Sequence, residues 1–263
     1  MSIAKVYSRG IKRAFRNYWP AWSPTTRFRV GDVGMFERGL FVKKYDLAEL
    51  GVTFEVREDG ATKPLELVSS AGISWMLKAE GEINDSMPNI PAGDAGLSLR
   101  FDSAGAFVVM CPHASESTIA NGAALEDAIR TGYRASTWKS EWCVIVRLVS
   151  APVGSFLISE SAGSALDLSA RSNMTSLMDL ARVGTEMTVR RQAGQFYKSL
   201  GAHDVSPIFQ VARLKHNPFW GGSSFRTFAA RGDGASHDPV APGEMHLRVV
   251  EDSEVDDSVE AND

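Results

Sequence analysis

The chain has 263 residues, 44% of them hydrophobic, and a net charge of −4 that averages two ends of opposite sign. That much apolar side chain excludes wholesale disorder and leaves room for one large domain or two small ones. Two cysteines, Cys111 and Cys143, exclude a disulfide framework, and no stretch approaches the ~20 apolar residues of a transmembrane helix.

Residues 1–22 predict a basic amphipathic helix. Ile3, Tyr7, Ile11, Ala14, Tyr18 and Trp22 recur at spacings of three and four, with Val6, Phe15 and Trp19 beside them. Lys5, Arg9, Lys12, Arg13 and Arg16 fall mostly elsewhere on the wheel, and Pro20 is expected to end or kink the helix. No acidic side chain occurs through residue 31, while Arg27 and Arg29 extend the basic run. The segment has no apolar core of the kind a signal peptide carries, so cytoplasmic residence is the expectation.

A β-rich α+β domain is expected over residues 23–230, built on a twisted mixed or antiparallel sheet with a few short helices. Phe28 and Val30 alternate with arginines, and Gly31 and Gly34 read as turn glycines between strands. Glu37–Gly39 predicts a turn into a strand over Leu40–Lys44. Val52, Phe54 and Val56 alternate, and Asp59-Gly60 suggests a hairpin with Leu65–Val68. Over residues 73–82, Ile73, Trp75 and Leu77 share one face against Ser74, Met76 and Lys78 on the other. A connector rich in Pro, Asn and Gly then leads to alternating Leu97, Leu99 and Phe101. Ala106–Cys111 is apolar on both faces, as a buried strand should be.

Residues 118–132 predict a helix stopped by Gly132. Trp142–Val149 and Ser155–Ser159 predict two strands joined at Pro152-Val153-Gly154, followed by a strand over Ala165–Ala170 and a helix over Thr175–Val183. Met187–Arg191, Gln195–Lys198 and Ile208–Leu214 complete the strands. Residues 231–263 read as a flexible acidic tail, with seven acidic and no basic side chains over 251–263. Met245, Leu247, Val249 and Val250 form an apolar string able to dock as a strand.

No phosphate-binding loop, dinucleotide fingerprint or paired Cys-x-x-Cys is present, so neither catalysis nor a metal or other cofactor is expected. Cys111-Pro112-His113 places a thiol near an imidazole, but a proline between them at a strand exit does not set up the contact a Cys–His pair needs. Ser136-Thr137-Trp138-Lys139 matches a bare Ser-x-x-Lys string without its companion strings. The five histidines are scattered without ligand spacing.

The basic helix carries the main functional signal and has three readings. Its apolar stripe could pack on the sheet like any edge helix. It could lie on an anionic membrane, with Lys and Arg at the headgroups and Tyr18, Trp19 and Trp22 as interfacial anchors. It could serve as an arm for a protein or a nucleic-acid backbone, although a nucleic-acid binder would spread basic residues over the sheet and this chain does not.

In layout the sequence resembles the pore-forming domain of the gasdermins over about residues 1–215. Ile3–Trp22 resembles their first basic helix. Trp75–Glu82 with Leu97–Phe107 resembles strands that enter a membrane hairpin, and Trp142–Val149 with Phe156–Ser159 their central strand pair. The resemblance implies binding to anionic lipids, homo-oligomerisation at the inner face of a membrane, and restraint by a C-terminal segment released by an activating protease. Arg226 and Arg231 are then the candidate cleavage points. Bacterial members carry a lipid-bearing cysteine near the N-terminus, whereas this sequence has none before Cys111.

Overall fold

The computed structural model describes residues 3–15, 17–69, 72–216 and 245–249. Helix α1 (Ile3–Ala14) is the first element. It is followed by strands β1 (Trp19–Pro20), β2 (Asp32–Glu37), β3 (Leu40–Asp46), β4 (Val56–Glu58), β5 (Lys63–Val68), β6 (Ile73–Lys78) and β7 (Ala95–Phe101). Then come β8 (Phe107–Ile119), α2 (Gly122–Arg134), β9 (Cys143–Ser159) and β10 (Ser164–Ala170). The short α3 (Asp179–Arg182), β11 (Thr188–Ala193), β12 (Phe196–His216) and β13 (Met245–Val249) complete the order. The strands form two antiparallel sheets, and the fold is α+β.

The described residues gather into two compact units. The first holds those within Met1–Arg29, Arg57–Thr118 and Arg147–Phe209. Its four-stranded sheet runs β11-β10-β7-β6, with Leu99 opposite both Trp75 and Leu166. Residues paired in this way share a face, so Leu97, Leu99, Phe101, Leu166 and Leu168 all enter one core. Val108, Met110 and Leu157 meet them from β8 and β9, and Leu177, Leu180 and Ala181 cover the rest. The alternate residues of β8 and β9, Phe107, Val109, Cys111, Phe156 and Ile158, enter a second core under α1. The doubly apolar run expected at 106–111 is therefore buried on both faces because a core lies on each side of it.

The second unit holds the described residues within Val30–Val56, Ile119–Val146 and Gln210–Asp263. Here β2 pairs with β3 and with the start of β9, while β13 pairs with the end of β12. Arg38 and Gly39 both adopt positive φ, 52° and 79°, which gives the β2–β3 turn its tight reversal. Val33, Leu47, Leu125, Ile129, Trp138, Trp142 and Val144 form the core, with α2 contributing Leu125 and Ile129.

Several elements differ from expectation. The helix expected over residues 1–22 ends at Ala14, because Asn17 turns left-handed (φ 70°) and Trp19–Pro20 becomes a strand on β12. Phe28–Val30 forms no strand, and Gly34 lies inside β2. β4 and β5 both pair with β8 and form no hairpin with each other. The two strands expected around Pro152 are one, β9, in register with β8 on both sides of a gap at 111–114 and 151–154. Pro112 and Pro152 both lie in that gap, where each lacks the N–H a ladder requires. The segments at 195–198 and 208–214 likewise join into β12. The tail is outside the described residues except for β13, where the apolar string at 245–249 pairs with β12.

Candidate functional site

Helix α1 turns Ala4, Tyr7 and Ile11 into the core, with Ile3 and Phe15 packed at its margin. The close fit depends on two glycines. A Cβ at Gly10 would lie 2.4 Å from the Phe107 ring, and one at Gly105 would lie 1.8 Å from Val6 Cγ1. On the outer side Arg9 is exposed and Lys5 half-buried. Lys12 is also half-buried, with its ammonium 3.8 Å from the centre of the Trp19 ring, a cation–π contact. The side chain of Arg13, and Arg16, Arg226 and Arg231 entirely, are outside the described residues.

The three aromatic anchor candidates are packed into the folded protein. Trp19 is 2% exposed, on β1 opposite Phe209. Trp22 lies between Tyr7 and Tyr197, with ring centres 6.0 and 5.6 Å away. The Tyr18 hydroxyl donates to Glu116 Oε2 at 2.7 Å, and Arg147 faces the other oxygen of that carboxylate at 3.5 Å. Burial first and the Glu116 carboxylate second push the Tyr18 phenol up to about 12, so it stays a donor at neutral pH. Periodicity placed these rings on the apolar stripe. It could not tell a stripe that meets a core from one that meets lipid.

The exposed apolar surface lies elsewhere. Trp75 and Met76 on the edge strand β6, with Ile83 just beyond it, are 48%, 44% and 84% exposed. The connector from β6 to β7, residues 79–94, folds back over the polar face of this sheet. Lys78 is fully buried and its ammonium donates to the carbonyls of Pro91 (2.6 Å), Asp94 (2.9 Å) and Ala92 (3.4 Å). Asn89 donates to Asp167, Ile90 fills the space over Gly96, and Arg190 pairs with Asp94 at 2.9 Å. Sequence pattern holds no sign of this clamp, because an alternating strand leads one to expect Lys78 in solvent.

Cys111 and Cys143 are both buried, and burial pushes each thiol up to about 12, away from the thiolate that nucleophilic chemistry needs. His113, Ser136 and Lys139 are exposed. Among the described residues no three His, Cys, Asp or Glu side chains converge as metal ligands. In the second unit a cleft of about 390 Å³ is lined by Leu50, Val52, Asp127, Thr131 and Trp138. No helix among the described residues is long and apolar enough to cross a membrane.

No protein-family profile matches the chain, and no curated protein does. Among solved structures, the chain is similar to one described as the cryo-EM structure of the gasdermin A3 membrane pore. Identity is 10%, the alignment covers 82% of this chain and 90% of that one, and the TM-score is 0.34. The likeness is distant and one of fold alone.

Proposed function

We propose that this chain is a non-enzymatic protein that engages anionic membranes through the basic face of α1. One observation supports the reading above others: Lys5, Arg9 and Lys12 lie off the buried stripe of a helix in a sequence whose first acidic residue is Asp32. A basic residue near an anionic leaflet contributes about 1 kcal/mol, so these three give about 3 kcal/mol. That is weak, reversible attraction, below even millimolar affinity. Firm attachment then requires a further contact or the avidity of an oligomer.

The finer reading is a pore former of the gasdermin kind, restrained by its C-terminal tail and released by cleavage at Arg226 or Arg231. A membrane barrel strand needs ~9–11 residues, and β6 and β7 have six and seven. To reach that length they must recruit the 79–94 connector, which the clamp around Lys78 holds down. The test is dye release from phosphatidylserine-containing liposomes, comparing the full chain with a version ending at Arg231. Leakage from the shortened form alone is expected. Leakage from neither sinks the pore reading, and salt-sensitive binding to RNA or DNA without vesicle binding selects the nucleic-acid arm instead.

A further inference from the structure

The apolar face of α1 is docked with one group out of place. Tyr7 is fully buried, its ring edge-on to Phe107 at 5.4 Å and tilted against Trp22 at 6.0 Å. Its hydroxyl is enclosed and has no hydrogen-bond partner among the described residues. Other hydroxyls of this unit are satisfied: Tyr18 by Glu116, Ser155 by the Leu180 carbonyl at 2.8 Å, Ser206 by the Phe28 carbonyl at 3.3 Å. Ionisation offers Tyr7 no relief, since burial and then the neighbouring Cys111 and Tyr197 all push its phenol up. A buried hydroxyl that has given up water without a replacement penalises the docked state, and release returns that free energy.

The apolar fit around Tyr7 makes no use of the oxygen. Val6 rests on Gly105, Gly10 admits the Phe107 ring, and Ile11 joins Tyr7 in the same core. Phenylalanine would fill the same space without the penalty. Just past the helix, the chain turns at the left-handed Asn17 before Trp19 and Pro20 pair with β12, so the turn separates α1 from the sheet.

We propose that α1 is a releasable element whose docking strength is set low by the Tyr7 hydroxyl, so that its apolar face can join its basic face at an anionic membrane. The inference rests on the membrane reading above and supplies the second contact that three basic residues lack. Released, Tyr7 suits an interface, with its ring among acyl chains and its hydroxyl at the headgroups.

The test is Tyr7→Phe, read twice. Without lipid, hydrogen–deuterium exchange of the α1 amides should slow about tenfold, and those of β7 should change less. With vesicles of phosphatidylcholine and phosphatidylserine, co-sedimentation should weaken by a similar factor, and pure phosphatidylcholine should bind neither protein. Unchanged or faster exchange in α1 overturns the proposal. Slower exchange with unchanged vesicle binding overturns the link between release and lipid. Slower exchange when neither protein binds any vesicle preserves the low docking strength and sinks the membrane reading.

Discussion

Helix α1 and the β6–connector segment are both amphipathic, and the fold treats them in opposite ways. α1 hides its apolar side under a fitted contact with Gly105 and Phe107 and keeps Arg9 on its exposed side. The β6 segment leaves Trp75, Met76 and Ile83 outside and buries its lysine. The difference shows that amphipathic pattern specifies two faces without specifying which one meets the core. In α1 the choice follows from area, because Tyr7 and Ile11 find a second core ready on β8 and β9. On β6 the strand lies at a sheet edge, where Leu97 and Leu99 of the next strand take the core and the edge residues are left at its rim.

The contrast breaks most sharply at Gly105. Its φ of 79° disfavours any side chain, and Val6 occupies the space a Cβ would need. Gly105→Ala should cost about 3 kcal/mol, combining the left-handed strain with overpacking. Urea denaturation should show the loss, and the α1 amides should lose protection first. Loss of stability with α1 still protected would mean the helix is not held at this point.

Lys78→Met tests the other region. It leaves the Pro91 and Asp94 carbonyls without their donor and should cost about 2 kcal/mol. Exchange should accelerate at Met87, Ile90 and Asp94, whose amides close the turns of the connector, while α1 keeps its protection. Equal acceleration in α1 would show that the two regions open together. Trp75→Ser gives the smallest effect on folding, about 0.5 kcal/mol, since half the ring is already in water. If β6 contacts lipid, the same change lowers vesicle binding by far more than it lowers stability, and equal binding by variant and parent removes this edge from the membrane site.

Local chemistry made much of the fold legible. Alternation at 73–78 and 97–101 marked β6 and β7, and the doubly apolar 107–111 run marked a strand with cores on both sides. Helices occur in the three places the pattern expects, but α1 ends eight residues earlier than its pattern, α2 runs through Gly132 to Arg134, and α3 is only Asp179–Arg182. Tyr18 and Trp22 continued the period, but they serve the core through a turn and a strand instead of a longer helix. Pattern alone divides β9 at Pro152, which cannot donate to a ladder. The structure carries the strand through, since Pro112 on the facing strand leaves the same gap and the register is kept.

The sequence by itself determined the charge layout, a basic amphipathic segment before any acid and an acidic run at 251–263, because these depend only on the order of side chains. It also determined the strand-rich character, because a period of two is a local property, whereas the antiparallel pairing was settled only by which strands meet. Only the tertiary structure decided that Trp19 and Trp22 pack against the core, that Lys78 clamps a connector through three carbonyls, and that the Tyr7 hydroxyl finds no partner among the described residues. Each of these depends on what a distant segment brings to the other side of the contact. The basic start of the chain is therefore a docked helix with Arg9 exposed and Tyr7 enclosed, and the contact that encloses it is set by Phe107, Gly105 and Tyr7 together.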